Sequence, residues 1–139
     1  MWLGIAVLAT NGVAGVAGAV LWLRRVITNW FWVLLRVAQA VVVVQVVLGL
    51  VLLARGEVAP DGLHVAYGIA PLVVTLVSEL LRAGAALREL EGIPDVDAIE
   101  RTEQIALARR VALAEMGVMT VGALLILTLA LRAYQTGGS

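Results

Sequence analysis

Four stretches of this chain, residues 2–23, 30–53, 63–81 and 111–131, are apolar almost throughout, and each is close to the roughly 20 residues with which a helix crosses a hydrocarbon layer about 30 Å thick. No other feature of the sequence restricts the fold so tightly. The core of a bilayer supplies no water to backbone N–H and C=O groups, so a lone segment inside it satisfies them within itself, as a helix. Four such segments in 139 residues leave room for little but connections. The expected fold is therefore an all-α, integral membrane four-helix bundle forming a single domain over residues 1–139. Composition closes the soluble alternative. Hydrophobic residues make up 62 % of the chain and charged ones 14 %, with a mean hydropathy of +1.01, whereas a soluble domain of this length needs a charged outer layer.

Several function classes drop out on residue counts. With no cysteine there is no disulfide, thiolate metal site, iron–sulfur cluster or cysteine nucleophile. The formal net charge is zero and no basic cluster is interleaved with aromatics, so the footprint of nucleic-acid binding is missing. There is no Ser/His/Asp set, no phosphate-cradling glycine loop and no group of metal ligands, which argues against an enzyme. All ten basic residues are arginine, and with the heavy use of Ala, Val, Gly and Leu this points to a GC-rich bacterial genome.

The second and third spans are separated by "ARGEVAPDG", a turn carrying Gly56, Pro60 and Gly62. The first span has "AGA" at Ala17 to Ala19, which resembles a cleavage site, yet no positive charge precedes it and the arginines follow it, the pattern of a retained anchor. Arg24, Arg25 and Arg36 flank the first connection, and Arg82, Arg88, Arg101, Arg109 and Arg110 flank the third; only Arg55 and Arg132 lie at the other side. Arginines collect on the cytoplasmic face. This places the protein in the inner (plasma) membrane as a multi-pass chain, both termini outside and the first and third connections cytoplasmic. "NWFW", Asn29 to Trp32, then reads as an aromatic belt at the inner interface.

Helical patterning continues beyond the third span as "LRAGAALRELEG", which Gly92 and Pro94 end. In the following "PDVDAIERTEQ", Asp97 and Glu100 have the spacing of a capping pair that opens the last helix. Residues 82–110 are thus expected to form a cytoplasmic helical hairpin. A fold-back near Pro94 would bring Arg88 to Glu100 or Glu103, and Glu79 to Arg109 or Arg110.

On the third span, His64, Tyr67, Gly68, Pro71, Thr75, Ser78, Glu79 and Arg82 recur at spacings of three and four, so they share one face. One reading is a polar path for a substrate or proton, with Pro71 freeing the Tyr67 carbonyl as in proline-broken transporter spans. The preferred reading is ordinary packing, since small and polar residues turn toward neighbouring helices where lipid offers no partner. His64, three residues after the candidate N-cap Asp61, marks the outer end of a helix rather than a ligand site. It is the only histidine, so bis-histidine haem ligation within one protomer is impossible. Met116 and Met119 lie far from it in depth, and no cofactor is implied; a haem-binding cytochrome would need a second copy.

Charges within spans are the sharper signal, because a charged residue at mid-helix costs about 2.5–3.5 kcal/mol on insertion scales. Arg36, Glu79 and Glu115 all fall near the inner interface. Either Arg36 pairs with Glu115 or Glu79 across helices, or the side chains snorkel to water; a proton or ion relay is the functional alternative. On the first span Gly4, Asn11, Gly15 and Gly18 form a stripe of small residues. A turn near Thr28 would bring Asn11 opposite Gln45 for an interhelical hydrogen bond. The same stripe would equally suit a second copy or another membrane protein.

The stretches "LHVAYGIAPLVVTLVSELLR" and "AEMGVMTVGALLILTLALRA" resemble those of small four-span membrane proteins of actinobacterial type. Their shared points here are His64, Tyr67, Gly68, Pro71, Glu79, Arg82, Glu115, Met116, Gly117 and Gly122. Some proteins of this size are similar to accessory subunits of respiratory supercomplexes. The resemblance implies a non-enzymatic subunit that fills or scaffolds an interface, with a membrane protein as its partner. The alternative is a small transporter or channel using the polar face of the third span.

Overall fold

A computed structural model describes residues 2–57 and 62–136. Their regular structure is helical: α1 (Trp2–Leu23), α2 (Asn29–Ala54), α3 (Gly62–Leu90), a 3₁₀ turn at Val96–Ala98, and α4 (Arg101–Thr136). All four α-helices are long and apolar enough to cross a membrane. They run alternately up and down. One end, the hairpin end, holds the α1–α2 turn and the α3–α4 hairpin; the far end holds the α2–α3 turn. The proposed N-cap Asp61 lies outside the described residues.

Each helix boundary has a local cause. Thr28 has extended backbone and its hydroxyl accepts from Trp30 N at 3.3 Å, capping α2. Gly56 and Gly92 end α2 and α3 with positive φ of 89° and 82°, the left-handed conformation that glycine adopts without a steric cost. The end of α1 is different. Val26 N donates to Leu21 O and Arg25 N to Trp22 O, closing a Schellman turn whose left-handed position holds Arg25 at φ 52°.

The opening of α4 departs from expectation. Glu100 holds the N-cap position, its carbonyl accepting from Gln104 N at 2.9 Å, but no side-chain bond from Asp97 or Glu100 caps α4 among the described residues; Asp95 caps the 3₁₀ turn by accepting from Asp97 N at 2.9 Å. Gln104 folds its amide back onto Val96 O and Ile99 O at 3.0 and 3.2 Å. The connection is therefore a short structured cap, and α4 begins beyond the level at which α3 stops. That offset moves the hairpin register. Arg110 pairs with Glu89 at 3.4 Å in place of Glu79, Glu79 meets neither Arg109 nor Arg110, and Arg88 makes no ion pair with Glu100 or Glu103.

The core is stacked in three layers. Phe31, Leu35, Met116 and Met119 fill the hairpin end, Ala14, Ala38 and Ala123 the middle, and Val7, Val42 and Ile126 the far end. Large hydrophobics elsewhere face outward in numbers that water would not tolerate, Trp2, Leu80 and Val33 among them. Along α1 the small residues meet α4: Gly12 lies against Leu127, Gly15 against Leu124, Gly18 against Thr120 and Phe31. A Cβ on Gly15 would come within 2.8 Å of Leu124, so the absence of a side chain sets this helix spacing. The small-residue stripe is thus used within the chain, except at Gly4, which has no neighbour within 4 Å.

Candidate functional site

Arg36 enters from α2, Glu79 and Arg82 from α3, and Glu115 from α4, all toward the hairpin end. Arg36 Nη1 donates to Glu79 Oε1 at 2.6 Å. The other carboxylate oxygen of Glu79 accepts from Arg82 Nε at 2.8 Å, and Arg82 Nη1 reaches Glu115 Oε1 at 3.0 Å. Gln39 completes the set: its Nε2 donates to Glu79 Oε1 at 2.8 Å, and its Oε1 accepts from Arg36 at 2.6 Å. Two arginines and two glutamates cancel in charge, and five side chains tie three helices together. The Arg82 guanidinium also lies 5.8 Å from the centre of the Trp32 ring, within cation–π range.

Arg36 therefore pairs with Glu79, and it reaches Glu115 only through Arg82. Helical spacing explains Gln39, which the sequence did not point to, and the pairing role of Arg82, already placed on the face of Glu79. Gln39 is three residues from Arg36 and Arg82 three from Glu79, so each shares a face with its partner. The aromatic run divides its work: Phe31 is fully buried, Trp32 packs edge-on against it at 5.2 Å, and Trp30 alone of the three is largely exposed. Only part of "NWFW" can act as an interfacial belt.

The third-span polar face points inward at its middle, while His64 at its outer end is exposed. Pro71, Thr75 and Ser78 are the buried residues of α3, with Ser78 against Gly122 of α4. The helix runs unbroken through Pro71, and Thr75 Oγ1 donates to Pro71 O at 2.8 Å. No unwound backbone is left to line a path.

At the far end the α2–α3 seam opens into a cleft of about 320 Å³. Gln45, Gly49, Glu57, His64 and Gly68 are on its walls, with apolar residues between them. The expected Asn11–Gln45 bond is not made. Asn11 is buried and its Nδ2 donates to Val7 O of its own helix at 3.0 Å, while Gln45 lines the cleft with its Oε1 buried and without a hydrogen-bond partner among the described residues. Packing of Ala14 on Ala38 and of Val7 on Val42 fixes this register and separates the two amides. Tyr67 is half-buried beside the cleft. Met116 and Met119 are core residues at the opposite end from His64.

Arg109 is held at the hairpin end, where its Nη2 donates to Arg25 O at 2.9 Å. Among the described residues no group of three or more His, Asp or Glu side chains is arranged to hold a metal ion.

Fold and site together define an all-helical bundle whose helices can cross a membrane, with a closed charge network near one end. In comparisons with protein-family models, curated proteins and solved structures, nothing matches the chain.

Proposed function

We propose that this protein is a non-enzymatic integral membrane protein, bacterial and of the inner membrane, that acts as an accessory or scaffolding subunit of a membrane complex. The reading draws most on the polar network, in which five hydrogen bonds join Arg36, Gln39, Glu79, Arg82 and Glu115 across three helices. Such a network braces helices by pairing the charges of the spans with one another, which favours a structural role. Arginines at the α1–α2 turn and the base of the hairpin favour a cytoplasmic hairpin end, with both termini outside. An accessory role of this kind is the one implied by the resemblance of the sequence to small four-span membrane proteins, some of which are similar to subunits of respiratory supercomplexes. The test is purification in mild detergent. Co-elution with another membrane protein at fixed stoichiometry, retained after crosslinking at the hairpin, is the expected result; recovery as a lone monomer removes the reading.

A transport reading is favoured by one observation, the far-end cleft lined by Gln45, whose buried amide oxygen has no hydrogen-bond partner among the described residues. Flux into liposomes that falls when Gln45 is replaced by leucine would support it; flux indistinguishable from that of empty liposomes removes it. A haem-binding reading is tested by the absorption spectrum of the purified protein, in which a scaffold shows no Soret band.

A further inference from the structure

The neutral network uses up only some of the arginines at the hairpin end. Arg24, Arg25, Arg88 and Arg109 are exposed, and among the described residues none has a carboxylate within 4.0 Å. Arg110 is more than half exposed and meets Glu89 only at 3.4 Å. The structure draws these like charges together: the Arg109 guanidinium is fastened to the carbonyl of Arg25, so the end of α1 and the flank of α4 present their cations at one corner. Arg25 holds a left-handed turn position that glycine would occupy with less strain, and it adds a further charge there.

Between α3 and α4 lies an apolar groove of about 490 Å³, walled at the hairpin end by Trp22 of α1, the residue three before Arg25. Gly117 forms part of its floor because the Trp22 indole lies where a side chain would be, 2.8 Å from an ideal Cβ. The groove extends along α4 from Ala114 to Leu125, about 16 Å at 1.5 Å per residue. That is close to one leaflet of a hydrocarbon layer about 30 Å thick. Helical spacing places Arg110 under Ala114 and Val121, and Arg88 under Val77 and Leu81, on the faces that line the groove. Side chains slant toward the N-terminus of their helix, so Arg88 leans up α3 toward the mouth of the groove, while Arg110 on the antiparallel α4 slants the other way and meets Glu89 below the mouth.

We propose that this groove and its arginine rim form a binding site for one anionic phospholipid, an acyl chain lying along α4 and the phosphodiester among Arg88, Arg109, Arg110 and Arg25. An apolar slot one leaflet long, ending in four cations that share one weak carboxylate partner, matches the two halves of such a molecule. A zwitterionic lipid fills the slot and gains less at the rim, because its own ammonium opposes the arginines. The proposal rests on the membrane-embedded part of the function proposed above and is independent of any protein partner.

Native mass spectrometry of the full chain, released from detergent with dioleoylphosphatidylglycerol or dioleoylphosphatidylcholine, tests it. One phosphatidylglycerol is expected to persist on each protein where phosphatidylcholine is stripped. The R88Q/R110Q pair lowers that preference by roughly fivefold for each arginine removed. Val121→Trp fills the slot from its exposed face and abolishes retention of either lipid, with helical content by circular dichroism confirming the fold of each variant. Equal retention of the two lipids overturns the proposal, and so does unchanged retention in Val121→Trp. Displacement of phosphatidylglycerol by millimolar inorganic phosphate would reduce the site to an anion-binding corner without a chain, and overturns it as stated. Failure to capture a protein partner leaves these outcomes unchanged, so the two readings fail separately.

Discussion

The two ends of the bundle treat charged and amide side chains differently, although one buried hydroxyl, Thr120 Oγ1 beside Gly18 and Phe31, also lacks a partner among the described residues. At the hairpin end five of them, from three helices, meet in a network in which each carboxylate faces a guanidinium, above a core layer of large residues. At the far end α2 and α3 part around Gln45, whose oxygen finds no partner among the described residues, beside a layer built from Val7, Val42 and Ile126. In lipid the hydrophobic effect does little to hold helices together, so packing and interhelical polar contacts carry more of the association. The closed end should therefore be the rigid anchor of the fold and the open end its adjustable part. Substitutions at the two ends should differ in sign as well as in size.

Phe31→Ala empties the centre of the hairpin-end layer, where Phe31 is fully buried among Leu35, Met116 and Met119. It should cost about 4 kcal/mol, read as a drop in the midpoint of unfolding in mixed detergent–SDS micelles. Arg82→Gln comes next. It removes the guanidinium that joins Glu79 to Glu115 and strands the glutamate on α4, at a cost of about 2 kcal/mol. Gln45→Leu should go the other way: replacing an unsatisfied amide at the open end stabilises the bundle by about 1 kcal/mol. A loss of stability on that change would mean that Gln45 has a partner and the seam is not open. The smallest effect belongs to Arg36→Gln, about 0.5 kcal/mol, because the Arg36 side chain is 55 % exposed and exposed pairs contribute little. Should Arg36→Gln cost as much as Arg82→Gln, the hinge of the network would lie at α2 and not at α3.

Much of this fold was legible in residue type alone. Unbroken apolar length fixed both ends of α1 and α2 and the start of α3 to within a residue, because lipid leaves a backbone so few alternatives, whereas α3 and α4 run on past the apolar text. Gly92 announced its helix end through the left-handed conformation it adopts. The candidate site was half legible. Arg36, Glu79 and Glu115 stood out as charges in apolar text, but Gln39 and the bridging part of Arg82 emerged only from which faces the helices turn toward one another. Register was the weakest inference. Asn11 and Gln45 were matched by counting from a turn, whereas the close approach at Ala14 and Ala38 sets the actual level. The α3–α4 pairing failed in the same way, since the cap built by Asp95 and Gln104 lengthens the connection on the α4 side. Counting residues gives a level only when both helices start from the same height.

The central claim is that the chain crosses a membrane four times with its hairpin end in the cytoplasm. The absence of native cysteine allows a direct measurement, with single cysteines introduced as Glu57→Cys at the α2–α3 turn and Glu100→Cys at the hairpin, both exposed. In intact cells a membrane-impermeant maleimide should label Glu57→Cys and spare Glu100→Cys until the cells are broken. Labelling of Glu100→Cys from outside, or of both positions from the same side, would contradict the account.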